Sequence, residues 1–103
     1  MHPQVERHRA EIAALCRRYR VRRLDVFGSA ARGDDFDPVH SDADFLVEFE
    51  PDTGAPALEE FFGFRDALSQ VLKLPVDLVE AGAIRNPYVL ASINRSRENV
   101  YAA

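Results

Sequence analysis

Two aspartates stand at the start of a nearly continuous apolar stretch, and their spacing suits metal binding. Asp42 and Asp44 stand at the start of the run 45–49, Phe-Leu-Val-Glu-Phe. If this run is a strand, side chains two positions apart share one face and lie about 7 Å apart along the chain. Two carboxylates so placed repel each other, and strands disfavour aspartate, whereas a divalent cation such as magnesium removes both objections. The pair predicts a metal site, with a solvated acidic turn at the strand entrance as the alternative.

A third carboxylate lies inside another short apolar run. Asp77 stands between Val76 and Leu78. A charge buried in a strand needs either an opposite charge or a metal ion. Asp77 is therefore a third candidate metal ligand, and an ion pair with one of the many arginines is the alternative.

The pair Gly28-Ser29 follows an apolar run and is typical of a turn that can hold phosphate. Glycine lets a ligand approach the backbone, while a serine hydroxyl and the first amides of a helix donate to phosphate oxygens. Arg32, three positions after the serine, is placed to reach a triphosphate oxygen. The alternatives are an ordinary turn capped by Ser29 and a surface arginine paired with Asp34 or Asp35.

Together these features predict a two-metal site for phosphoryl transfer. A phosphate-holding turn follows one strand, two carboxylates open the next, and a third lies on the strand after that. One metal would carry a nucleoside triphosphate, and the other would lower the pKa of the acceptor hydroxyl. Asp42, Asp44 and Asp77 are the predicted catalytic residues and metal ligands.

Helical and strand patterns alternate along the chain and position these residues. The order predicts an α/β (α+β) fold, a small mixed sheet of three or more strands backed by helices, with residues 1–103 forming a single domain. Asp25, in the first strand, is expected on an exposed face rather than as a fourth ligand. The predicted helices are 3–20, a short one at 29–32, 58–72, and one from 87 through 100; the predicted strands are 21–27, 41–49 and 76–79.

Composition restricts the compartment and the partners. The 13 basic and 17 acidic residues give a net charge of −4, which argues against direct nucleic-acid binding over a broad basic face. The lone cysteine, Cys16, falls on the apolar stripe of the first helix and favours a reducing compartment, hence the cytoplasm. The sequence shows no signal peptide and no apolar run of about 20 residues, so a membrane location is not expected.

Two motifs carry a family resemblance. The run 27–33, Phe-Gly-Ser-Ala-Ala-Arg-Gly, followed by 41–47, Ser-Asp-Ala-Asp-Phe-Leu-Val, resembles the DNA polymerase β-like nucleotidyltransferase superfamily. Within it the chain is similar from end to end to the minimal nucleotidyltransferase (MNT) group. Residues 76–79 match the third carboxylate strand of that group, and the tail 85–103 resembles its closing helix.

The resemblance implies a specific activity. Short proteins of this group act as antitoxins beside an all-helical HEPN ribonuclease toxin, to which they transfer AMP from ATP onto a tyrosine. Two magnesium ions, held by the three aspartates, are implied, and Asp77 would complete the metal at the acceptor hydroxyl and act as general base. Two alternatives stay open: an antitoxin that neutralises its toxin by binding alone, and a transferase for a small hydroxylated molecule.

Overall fold

A computed structural model describes residues 2–28, 43–50 and 58–103. Helices and strands alternate along these ranges, as the periodicity predicts. The elements are α1 (Pro3–Arg7), α2 (Arg9–Arg18), β1 (Val21–Phe27), β2 (Ala43–Phe49), α3 (Leu58–Leu72), β3 (Val76–Glu80), a 3-10 turn (Ala81–Ala83), α4 (Pro87–Ser96) and β4 (Glu98–Ala102).

The four strands form one mixed sheet in the order β3-β2-β1-β4. β1 is antiparallel to both of its neighbours, β2 and β4, whereas β2 and β3 are parallel. A parallel pair cannot be joined by a tight hairpin and needs a crossover connection, which here contains α3. The predicted mixed sheet backed by helices is confirmed.

The main core lies on one face of the sheet, under α2 and α3. Leu24 and Val26 of β1 alternate with Asp25 and Phe27, so the two faces of this strand differ in character. The core face is closed by apolar side chains at helical spacing, among them Cys16 of α2, as predicted. Its members include Ile12, Cys16, Leu24, Val26, Phe45, Val47, Phe64, Leu68, Leu72, Leu78 and Val100.

The first predicted helix, 3–20, is in fact two helices that meet at His8. The His8 backbone, with φ −103° and ψ 17°, leaves helical geometry, and its N–H donates to Gln4 O to close α1. The His8 ring nitrogen Nδ1 also lies 2.8 Å from Gln4 O. The prediction of one helix missed this break because the apolar spacing continues across it. α2 then ends before Arg20, whose φ of 59° turns the chain into β1.

The last predicted helix is wrong beyond residue 96. α4 ends at Ser96, Arg97 adopts an extended backbone, and β4 pairs antiparallel with β1. Val100 fitted the helical spacing, but it is buried in the core from the sheet rather than from a helix. Its branched side chain and the neighbouring Tyr101 favour a strand, and pairing with β1 supplies the backbone hydrogen bonds.

Candidate active site

The sheet brings together two of the predicted acids and Gly28, the first residue of the predicted phosphate turn. Asp44 of β2 lies directly opposite Phe27 of β1 and, on its other side, in register with Asp77 of β3. Adjacent strands are about 4.8 Å apart, and residues in register share a face, so the two aspartates stand side by side. They lie on the face opposite the main core. Gly28 follows Phe27 immediately and borders the same point.

Gly28 has a backbone conformation and a close neighbour that both favour glycine. Its φ is +70°, a left-handed backbone that side chains rarely adopt. A Cβ at this position would lie 3.0 Å from Asp44 Oδ2. The turn and the acid are therefore packed against each other, as a site that binds phosphate beside metal requires.

A cleft of about 720 Å³ opens between this sheet face and α4. Its volume falls within the range of small-molecule sites. Pro87 starts α4, and Asn86 caps it by accepting hydrogen bonds from the backbone N–H groups of Tyr88 and Val89. The sheet supplies Phe27, Gly28, Asp44, Asp77 and Val79, and the helix supplies Val89, Ser92, Ile93, Arg95 and Ser96.

The predicted site residues divide between described and undescribed parts of the chain. Gly28, Asp44 and Asp77 line the cleft, with Asp44 half-buried and Asp77 exposed. Ser29, Arg32 and Asp42, together with the predicted short helix 29–32, lie outside the described residues. The functional roles assigned to all six residues stay predictions.

The two described acids have the chemistry that a magnesium site needs. Both are carboxylates, the hard oxygen ligands that magnesium takes beside substrate phosphates, and both face the cleft. Within residues 2–28, 43–50 and 58–103, no group of three or more histidine, cysteine, aspartate or glutamate side chains is arranged to hold a metal. Since Asp42 falls outside those ranges, the complete ligand set stays a prediction.

Asp25 corrects an expectation, because its side chain is buried rather than exposed. Only 1% of it is accessible, and its carboxylate is fully surrounded by donors. Arg97 Nε donates to Oδ2 at 2.7 Å, while Asn99 Nδ2 and Arg23 Nε donate to Oδ1 at 3.0 and 3.3 Å. A buried carboxylate with these partners is a structural ion pair and not a metal ligand.

Two cleft residues were missed by the sequence reasoning. The Ser96 Oγ accepts a hydrogen bond of 2.9 Å from the backbone N–H of Gly28. Arg95, the preceding residue, places its cationic side chain along the same cleft. Nothing local marks this serine and arginine, because their importance depends on where α4 crosses the sheet.

Comparison with known proteins identifies the family. Residues 10–100 match the nucleotidyltransferase domain model. The chain belongs to this nucleotidyltransferase family. It is 43% identical over 79 residues to a candidate protein adenylyltransferase of Methanocaldococcus jannaschii, covering 77% of this chain and 76% of the relative. It is 38% identical over 72 residues to protein adenylyltransferase MntA of Thermococcus cleftensis, covering 70% of this chain and 68% of the relative.

Solved structures share the fold. A candidate minimal nucleotidyltransferase superposes with a TM-score of 0.75 at 29% identity, over 95% of both chains. A chain from the complex of a tri-AMPylated Shewanella oneidensis HEPN toxin with its MNT antitoxin gives a TM-score of 0.67 at 15% identity, over 96% of this chain and 73% of the other. The second likeness speaks for the fold alone. The first agrees with the predicted MNT resemblance.

The helices in the described ranges are too short or too polar for a bilayer. None of them combines the length and the hydropathy that a membrane-spanning segment requires.

Proposed function

We propose that this nucleotidyltransferase is a protein adenylyltransferase antitoxin, which transfers AMP from ATP to a tyrosine of a cognate HEPN ribonuclease toxin. The observation that carries the proposal is the pairing of Asp44 with Asp77, in register on adjacent strands beside the Gly28 turn. The names of two relatives, one of them MntA, support adenylyl transfer to protein. The shared fold with an MNT antitoxin supports the toxin partner.

The donor triphosphate would lie over the turn at Gly28 and Ser29. Arg32 would contact its phosphate oxygens, and Arg95, whose side chain lines the cleft, would add a second positive charge. Asp42 and Asp44 would hold two magnesium ions, with Asp77 completing the coordination on the acceptor side. When bound, magnesium lowers the pKa of the acceptor hydroxyl and offsets the charge that builds up during displacement.

The transfer is an in-line displacement at the α-phosphorus of ATP. The tyrosine oxygen forms a bond to this phosphorus, the bond from the phosphorus to the bridging oxygen breaks, and pyrophosphate leaves. The tyrosine proton passes to the Asp77 carboxylate. Asp77 suits this role because its side chain is exposed and lines the cleft, where an incoming protein side chain can reach it.

The cytoplasm is the proposed compartment. Cys16 is a free, buried thiol, and an unpaired cysteine is ordinary in the reducing cytoplasm.

Incubation with labelled ATP, magnesium and a purified HEPN toxin from the neighbouring reading frame tests the proposal. We expect label on a toxin tyrosine, located by mass spectrometry, and loss of ribonuclease activity. Asp44→Asn and Asp77→Asn should abolish the label while the antitoxin still binds the toxin. If these variants transfer no label but still neutralise the toxin, the protein is an antitoxin that acts by binding alone. If label appears only on a small hydroxylated molecule, the protein is a transferase for such a molecule.

A further inference from the structure

We propose that Ser96 is a positioning residue, which holds the Gly28 turn in its nucleotide-binding conformation. This inference rests on the proposed function and concerns a residue outside the predicted site. The Ser96 Oγ accepts the Gly28 N–H at 2.9 Å, across 68 positions of sequence. On its other side, Gly28 packs against Asp44 Oδ2. The turn is thus fixed between one of the two described acids and the end of α4.

The hydrogen bond between Gly28 and Ser96 determines what Gly28 can contribute to nucleotide binding. The Gly28 N–H already has an acceptor, so Gly28 contributes its left-handed conformation and its lack of a side chain rather than a free donor. A serine hydroxyl accepts with its lone pairs and keeps one proton to donate. Ser96 lines the cleft, so this hydroxyl holds Gly28 at the border of the site.

A partly buried ion pair anchors Ser96 in this position. Arg97, the next residue, forms a salt bridge with Asp25 of β1, and Asn99 donates to the same carboxylate. Arg97 also donates to Asn94 Oδ1 at 2.9 Å, which ties it back to α4. Breaking a buried pair is costly, because it leaves an uncompensated charge. The end of α4 is consequently fixed to the strand that ends in the Gly28 turn.

If Ser96 competed with phosphate instead of positioning the turn, its removal would change ATP affinity in the opposite direction. If Ser96 occupied a donor that phosphate needs, nucleotide would have to displace it, and its removal would tighten binding. The anchor through Arg97 and Asp25 opposes such displacement. The sign of the change in ATP affinity therefore separates a positioning residue from a competitor.

A matched pair of variants measures the hydroxyl itself. Ser96→Thr keeps the hydroxyl, whereas Ser96→Val has nearly the same shape without it. Loss of one hydrogen bond is expected to raise the KM for ATP about fivefold to tenfold in Ser96→Val, with a smaller change in kcat. Ser96→Thr should stay within about twofold of the wild type. Ser92→Val makes the same change at a second serine of this helix and should raise the KM for ATP much less than Ser96→Val.

Two readouts stand apart from catalysis. In Ser96→Val, the affinity for a non-hydrolysable ATP analogue with magnesium should fall by the same factor as the KM for ATP rises. In the same variant, the Gly28 amide should exchange with solvent faster, while core amides keep their protection. A lowered KM, or Gly28 exchange and analogue affinity equal to those of Ser96→Thr, would overturn the proposal. If the wild-type protein transferred no AMP to the toxin, the proposed function would fail, yet these two readouts would still decide the role of Ser96.

Discussion

The two faces of the sheet differ in what covers them. On the face that packs against α2 and α3, Phe45 and Phe64 are fully buried. On the other face, α4 buries mainly Ile93 and leaves Asp44 and Asp77 beside an open cleft. One face supplies the hydrophobic free energy of folding, and the other keeps charged groups within reach of solvent and ligand. Because side chains alternate along each strand, the same backbone serves both purposes.

Truncation on the core face should give the largest loss of stability. Phe64→Ala removes a fully buried ring that packs against Tyr19 and Phe49, and we expect the free energy of unfolding to fall by about 3–5 kcal/mol. Phe62→Ala on the same helix is the control, since that ring is 41% exposed. Urea unfolding measures both. Equal losses for the two variants would contradict the expectation that the burial of Phe64 determines its contribution to stability.

Neutralising a cleft acid should affect activity far more than stability. Asp44→Asn keeps the size of the side chain but removes its charge, and we expect the rate of AMP transfer to fall about a hundredfold or more. Glu48→Gln is the matched control, because Glu48 lies farther along the same strand in a solvent-exposed ion pair with Arg22. A labelled-ATP assay and thermal unfolding, run on both variants, separate the two effects. Similar activity in both variants would contradict the role of Asp44.

A methyl group at Gly28 should lower both the transfer activity and the stability. Gly28→Ala forces a side chain into a left-handed backbone 3.0 Å from Asp44 Oδ2. We expect about tenfold weaker transfer and a stability loss of about 1–2 kcal/mol. Gly82→Ala is the control, since its Cβ meets only the flexible end of Glu80 at 3.2 Å and its φ is not positive. Wild-type activity in Gly28→Ala would mean that the turn tolerates another geometry.

The smallest effect concerns the thiol of the core face. Burial raises the pKa of Cys16 to about 12, against a minor opposite influence of Arg17. Native protein at pH 8 should therefore resist iodoacetamide, and unfolded protein should react. The raised pKa means that the thiol contributes stability below pH 9.0, which is lost as the pH rises towards about 12. Rapid native-state alkylation at pH 8, followed by mass spectrometry, would contradict this burial.

Local periodicity was sufficient for some parts of the fold and insufficient for others. The strands β1, β2 and β3 and the helix α3 follow from alternation or helical spacing, because each of them places buried apolar side chains in the main core. The strand β4 did not follow, since Val100 fits both periods and only pairing with β1 decides between them. The partners of Asp25 were missed for the same reason. Arg97 and Asn99 belong to the segment whose structure was wrongly predicted.

The candidate site also contains residues that local sequence patterns predict and residues that they do not. Asp44 and Asp77 could be predicted to share a place because each lies on an apolar strand, and strand alternation fixes which face a residue occupies. Ser96 could not be predicted, because the packing of α4 across the sheet is a tertiary contact with no local sequence pattern.

The long sequence separation of the Asp25 partners has a consequence for the order of folding. Arg97 and Asn99 follow Asp25 by 72 and 74 positions. Until these residues leave the ribosome, a nascent chain offers the Asp25 carboxylate only its near neighbour Arg23 among the three partners named above. Contacts of such high sequence separation slow folding. We expect the growing chain to bind nucleotide only after residues 97–99 have left the ribosome.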